Sequence, residues 1–356
     1  MKVPEYMNDV IVEHFPDTLT ILTTYRCNAA CEQCCFESNP SIKGRLSLVT
    51  MKTRICDAKT SFTTLQLVVF SGGECFLLKH DLFAAISYAS DLGLKTRCVT
   101  NGFWGKTPNR ACETVQSLVE AGVTEINIST GLDHQKWVPF SSVETAAKAL
   151  VEAGIRTLVT IEKDSPTSQC VFAAFSSPVF KALLEKHSKL FMVQCNSWMP
   201  FKESGEFRGV SQDQSQLYEG CKQIFRILVV TPHDHLSACC GLTLEHIPEM
   251  KLGDLRKTSM AELFEKQLDD FLKIWIHVDG PATIITRLFG DEANAALKPV
   301  SHICQACAIM HKHPKVRDAI RTQYYKFVPE ILSRFNASLA IRSKEEKLIA
   351  MKALAS

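Results

Sequence analysis

The chain has no apolar run long enough to cross a bilayer, and its opening Met1-Lys2-Val3-Pro4-Glu5-Tyr6 has none of the apolar stretch of a secretory signal. The expectation is a cytoplasmic protein with no membrane partner. An excess of charge is missing too. The formal net charge is +2, with no basic stripe or acidic block, so no nucleic acid is expected as a partner. There is no internal repeat and no low-complexity tract. What the chain has in abundance is cysteine, 15 in 356 residues. Without secretion signals, that number argues against a disulfide framework and for reduced thiols, some of them metal ligands. With 46% hydrophobic residues, the chain can bury one large core and a smaller appended one.

From Leu19 onward, short apolar runs alternate with helix-period segments. Leu19–Tyr25, Leu65–Phe70, Lys95–Thr100, Glu125–Ser129, Thr157–Ile161 and Phe191–Gln194 read as strands. Helical patterns fall at Leu48–Ser61, Asp81–Leu92, Asn109–Ala121, Val143–Ala153 and Val171–Leu190. This is an α/β chain with a parallel sheet, and its order fits a partial (β/α)6 barrel as well as a doubly wound sheet. Polar residues stand at every strand end, where such folds place ligands. The polar, turn-rich stretch from Met199 to Gly209 ends this unit near residue 210. Ile224–Thr231 and Leu236–Cys240 then read as a hairpin, Ser259–Val278 and Pro281–Phe289 as helices, and Lys315–Ala355 as a helical segment without a sharp break. The expected division is an extension (1–18), a barrel (19–210), a small hairpin-plus-helix domain (211–313) and C-terminal helices (314–356).

Cys27, Cys31 and Cys34 directly follow the first strand in C-x3-C-x2-C spacing. Thiolates this close select soft metals, zinc or an iron–sulfur cluster, and three rather than four leave a coordination position open for chemistry. One β-α unit later, Gly72-Gly73-Glu74 follows strand two. Two glycines let the backbone approach a ligand closely, and the carboxylate can accept from an ammonium group. Together these residues resemble the signature of the radical S-adenosylmethionine (SAM) enzymes. The resemblance implies a partial (β/α)6 TIM-like barrel and a [4Fe–4S] cluster on Cys27, Cys31 and Cys34, with SAM chelated to the fourth iron. It implies Gly72, Gly73 and Glu74 at the SAM amino group, Ser129 and Glu162 as further SAM contacts, and an electron donor such as flavodoxin or ferredoxin. The family often has an aromatic residue before the third cysteine, where this chain has Gln33, with Phe36 close by. Asn101 in Thr100-Asn101-Gly102 reads as a turn former.

A second cysteine set lies in the hairpin unit. Cys221 precedes the hairpin, Cys239-Cys240 end its return strand, and Cys304-Gln305-Ala306-Cys307 adds a C-x2-C pair. Four thiolates so distributed can close a [4Fe–4S] or a zinc site. The pattern resembles the Twitch domain, the shortened relative of the SPASM domain, which implies one auxiliary [4Fe–4S] cluster on Cys221, Cys239, Cys304 and Cys307. Adjacent strand residues point to opposite faces, so one of Cys239 and Cys240 faces that site. The choice falls on Cys239, since the 17 residues between it and Cys221 match the Twitch pattern that the resemblance implies and Gly241 lets the chain turn away just after Cys240. Cys56, Cys98, Cys112, Cys170 and Cys195 read as small core residues. Cys75 stands near the rim, and His302, His311 and His313 read as neighbours of the C-x2-C pair rather than ligands.

What the resemblance implies for function is reductive cleavage of SAM to a radical acting on an unactivated position of a natural-product intermediate. A small molecule is favoured over a peptide, because the 18 residues before strand one are too few for an appended leader-peptide-binding domain. Transfer of a 3-amino-3-carboxypropyl or adenosyl group and C–C or thioether crosslinking of a ribosomal peptide stay open at this point. So does a zinc-binding, non-enzymatic scaffold.

Overall fold

The computed structural model describes residues 15–197, 214–240, 247–293, 297, 300 and 302–354; the turn-rich stretch from Met199 to Gly209 lies outside them. Strands β1 (Thr18–Leu22), β2 (Leu67–Ser71), β3 (Lys95–Thr100), β4 (Glu125–Thr130), β5 (Arg156–Glu162) and β6 (Phe191–Asn196) are all parallel, in the order β6-β5-β4-β3-β2-β1. That strictly sequential order is a barrel wall. A doubly wound sheet would reverse at its first strand. The wall does not close. Instead β7 (Ile227–Val230) lies parallel against the free edge of β1, Thr18 opposite Ile227, and β8 (His235–Ser237) and β9 (Lys251–Asp254) follow antiparallel. The expected hairpin is β7–β8, and it continues the barrel sheet; β9, short and interrupted by Gly253, gave no strand signal. With partners on both edges, β1 is buried at all five positions, which is why Thr-Leu-Thr-Ile-Leu lacks a simple polar–apolar alternation.

The helices between strands begin where their caps stand. In α1 (Leu48–Ser61) the Ser47 hydroxyl accepts the N–H of Thr50 at 3.0 Å. After α2 (His80–Asp91), α3 (Pro108–Glu120) combines a Thr107 cap with proline at its first position. A short α4 (Leu132–Gln135) follows β4 directly, then α5 (Phe140–Glu152). Three continuous helices expected from periodicity are each two. Pro178, capped by Ser177, divides α6 (Gln169–Ser176) from α7 (Pro178–Lys186). Asp270, whose carboxylate takes the Leu272 N–H, divides α8 (Met260–Leu268) from α9 (Phe271–Val278). After α10 (Pro281–Phe289) and α11 (Ile303–Lys312), α12 (Pro314–Gln323) is separated from α13 (Val328–Leu354) by a 3-10 turn at Tyr324–Lys326. Pro329 cannot donate within a helix, so it sits in the first turn of α13.

One apolar core joins Leu19, Ile21 and Ile128 of the sheet to Ile55, Leu118 and Leu150 of the helices and runs on to Phe225, Trp275 and Phe335. A smaller cluster of Leu22, Tyr25 and Val229, with Phe36 and Cys240 packed on it, is distinct from that core. Arg54 of α1 ties down the β7–β8 turn through Asp234, Nε to Oδ1 and Nη2 to Oδ2, both 2.8 Å. No helix among the described residues is long and apolar enough to cross a membrane.

Candidate functional site

The cysteine loop is seated by backbone. β1 stops at Leu22 rather than Tyr25 because Thr23 and the residues after it turn to their neighbours: Thr23 N–H donates to Ser71 O at 2.9 Å and Leu46 N–H to Thr23 O at 2.9 Å. On the other side Gly73 N–H reaches Thr24 O at 2.7 Å and Glu74 N–H reaches Arg26 O at 3.0 Å. A Cβ on Gly72 would lie 2.3 Å from Thr24 O, and one on Gly73 2.2 Å from Arg26 O. Both glycines are therefore required by the segment that leads into Cys27.

Cys27, Cys31 and Cys34 all open on one cavity of about 370 Å³, with Gly72, Gly73, Asn101 and Ser129 also in its wall. Ser71, Val99, Thr100 and Ser129 come from the carboxyl ends of β2, β3 and β4, as the strand-end rule requires. The donor set fits an iron–sulfur cluster. Ala29 N–H lies 3.4 Å from the Cys27 sulfur and the Asn101 amide 3.8 Å from it, donors that stabilise thiolate charge. Burial, then the neighbouring thiols Cys34 and Cys27, then Asp133 and Glu162 push the Cys31 thiol up to about 12. Burial chiefly pushes Cys27 to about 11, so bare thiolates are disfavoured and a bound metal centre offsets the cost. Among the described residues no three His, Cys, Asp or Glu side chains converge closely enough for a single metal ion. A cluster differs in that each thiolate meets a separate iron.

The carboxylate expected at a ligand is elsewhere. Glu74 is fully buried and does not line the cavity. Its oxygens accept from Asn101 N–H at 2.8 Å, Phe76 N–H at 3.1 Å and the Thr100 hydroxyl at 3.0 and 3.1 Å. Burial raises it to about 7 against the pull of these donors. Glu74 thus braces the end of β3 against the glycine turn, and the glycines, not the carboxylate, face the cavity. Glu162 is also buried and out of the lining, packed on Gly131, whereas Ser129 lines it.

Sequence patterns passed over two residues at this wall, Asp133 and His134. Asn101 is no mere turn former: its amide also donates to Asn28 Oδ1 at 2.9 Å, beside Cys27. His134 lines the cavity, and burial holds its imidazole down to about 4, hence neutral near pH 7. Asp133 beside it is fully buried. Both sit just past the polar end of β4, so carrying the strand-end rule a few residues further would have found them. Gln33 and Phe36 line the cavity too, and Phe36 stacks on Tyr25 with ring centroids 6.0 Å apart.

In the second set, burial pushes the Cys307 thiol well up, with Cys239, Cys304 and Cys221 adding to it, and burial pushes Cys240 up to about 12, with Cys239 and Cys221 adding to it. Cys239 packs in the main core and Cys240 on the Tyr25 cluster, so the adjacent pair points to different surroundings. Cys304 lines the cavity of the first set, as does His302, whose Nδ1 accepts the Cys304 N–H at 3.1 Å and caps α11. Of the remaining cysteines, Cys98 and Cys170 are buried but Cys112 is exposed on α3, contrary to its expected core place. Cys75, which by sequence fits either the rim or the core, is in the core, its sulfur 3.3 Å from Val99 O.

No family model matches the chain. Over 130 residues, 36% of its length, it is 30% identical to the putative peptide biosynthesis protein YydG of Bacillus subtilis strain 168, and the match spans 40% of that protein. The fold is similar to that of anSMEcpe with bound AdoMet, at a TM-score of 0.54 and 15% identity over 90% of this chain and 100% of the other. For anSMEcpe with bound AdoMet and Cp18Cys peptide the values are 0.52 and 14%, over 90% and 99%. The likeness to these AdoMet-bound proteins is one of fold, a parallel strand wall that does not close.

Proposed function

We propose that this chain is a radical SAM enzyme that modifies a peptide. The observation that carries the reading is the convergence of Cys27, Cys31 and Cys34 with Gly72, Gly73 and the polar strand ends on one cavity. Cys27, Cys31 and Cys34 would hold a [4Fe–4S] cluster, which when bound would supply the electron for reductive cleavage of SAM and so the radical chemistry on the substrate. Asn101 and Ala29 temper the charge on the Cys27 sulfur, Ser129 and Ser197 offer hydroxyls to a ligand, and Phe36 on Tyr25 forms an apolar wall. Cys221, Cys239, Cys304 and Cys307 are the donors for an auxiliary [4Fe–4S] cluster, and Cys304 brings that set to the same cavity. A peptide is favoured over the small molecule inferred from the short stretch before β1, because the relative that shares 130 residues is a putative peptide biosynthesis protein.

The test is anaerobic reconstitution with iron and sulfide, reduction, and assay of SAM products. We expect 5′-deoxyadenosine from the wild type and none from the Cys27→Ala, Cys31→Ala, Cys34→Ala triple variant. A wild type with iron–sulfur absorbance that leaves SAM intact would overturn the enzymatic reading. Mass shifts in peptide fractions that need both SAM and reductant support a peptide substrate; shifts confined to small metabolites refute it.

A further inference from the structure

Across the cavity wall, a carboxylate that does not line the cavity holds the cysteine loop. Asp133 of α4 is 0% exposed, and its Oδ2 accepts the backbone N–H of Gln33 at 3.1 Å, a contact between residues 100 apart in sequence. Gln33 is the residue before Cys34 and the second after Cys31, so this bond fixes the span between two of the three thiols. The other oxygen, Oδ1, meets Lys136 Nζ at 3.1 Å. Lys136 is 56% exposed, so the pair is polarised, its cation toward water and its anion toward the cysteines. The placement depends on Gly131, which has φ 151° and whose Cβ, if present, would lie 2.3 Å from the Glu162 Cβ. That tight exit from β4 leads directly into α4.

The Gln33 bond and the Lys136 ion pair offset the cost of burying this carboxylate, and a neutral acceptor could cap Gln33 as well, so position and charge are separable features of Asp133. We propose that Asp133 is a positioning residue for the cluster on Cys27, Cys31 and Cys34, and that its negative charge lowers that cluster's reduction potential. The inference rests on the radical SAM reading. A fixed negative charge in a low-dielectric wall disfavours adding an electron nearby, and a cation half in water screens it only in part.

Two variants separate position from charge. Asp133→Asn retains an oxygen for the Gln33 N–H but removes the charge. We expect normal iron loading and a midpoint potential, read by EPR during redox titration, higher than in the wild type. Asp133→Ala removes the acceptor as well, and we expect iron to be lost to a chelator several-fold faster. If Asp133→Ala does not fold, Asp133→Asn decides the matter by its potential. A fully loaded Asp133→Asn variant with the wild-type potential overturns the electrostatic role, and Asp133→Ala retaining iron as the wild type does overturns the positioning role. A wild type that shows no cluster signal at all refutes the radical SAM reading instead, so the two failures are distinguishable.

Discussion

Glu74→Gln distinguishes a ligand-binding carboxylate from a structural one. The side chain is fully buried, and burial raises it from 4.5 to about 7. Between those values the folded chain holds a proton that the unfolded chain has released, so stability falls as pH rises through this window. The contribution is present below about pH 4.5 and lost above about pH 7. Over the full window the shift corresponds to about 3–3.5 kcal/mol. Buried His134 and His311, both held down to about 4, act in the opposite sense, destabilising the fold as pH falls from about 6.5. The comparison must therefore be a difference. Urea unfolding of wild type and Glu74→Gln at pH 5 and pH 8 should show the wild type gaining about 2–3 kcal/mol more than the variant on acidification. SAM affinity should change by no more than a few fold, because the carboxylate lies behind the wall. A carboxylate that met the SAM ammonium would contribute roughly 1.5–3 kcal/mol, and its loss would weaken binding about ten- to hundredfold. That loss, with equal pH slopes in the two proteins, would refute the structural role.

At the proposed auxiliary site, Cys239→Ser should remove the cluster's EPR signal and Cys240→Ser should spare it, since Cys239 acts on Cys307 while Cys240 packs on the Tyr25 cluster; the reverse pattern would reassign the ligand. Gly73→Ala places a methyl 2.2 Å from Arg26 O and should cost at least about 1–3 kcal/mol by thermal melting, together with cluster loading, because the clash falls on the loop that enters Cys27. Arg54→Met leaves Asp234 mostly buried without its bidentate partner; denaturant unfolding should register a loss of about 3–5 kcal/mol, and a change under 1 kcal/mol would mean that water replaces the pair.

Much of the site was legible along the chain because its donors are local. Cys27, Cys31 and Cys34 lie within one short loop, and Gly72-Gly73-Glu74 within one turn, so spacing alone could pair thiolate chemistry with close backbone approach. The repeating strands and helices were legible for a similar reason: Leu48–Ser61 and Lys95–Thr100 fall where their periodicity and caps put them. Helix breaks were lost where apolar period ran across a cap, as at Ser177-Pro178 and Asp270, since one polar residue does not interrupt a count of apolar positions.

What no local pattern holds is which side of a wall a side chain faces and what lies behind it. Glu74 was read as a ligand group because its donors, Thr100 and Asn101, come from the next strand end and become visible only once β2 and β3 pair. The bond from Gln33 to Asp133 and the ion pair of Arg54 with Asp234 join residues far apart in sequence, and parallel pairing decides such contacts. The sheet order did the same for the hairpin. By sequence it begins a new unit; by the hydrogen bonds of β7 to β1 it extends the barrel wall, and Cys304 beyond it opens on the same cavity as Cys27, Cys31 and Cys34. The grouping of the thiols is thus written in short spacings, while charge placement and wall geometry arise from tertiary contacts, because burial depends on the elements that pack against a residue rather than on its neighbours in the chain.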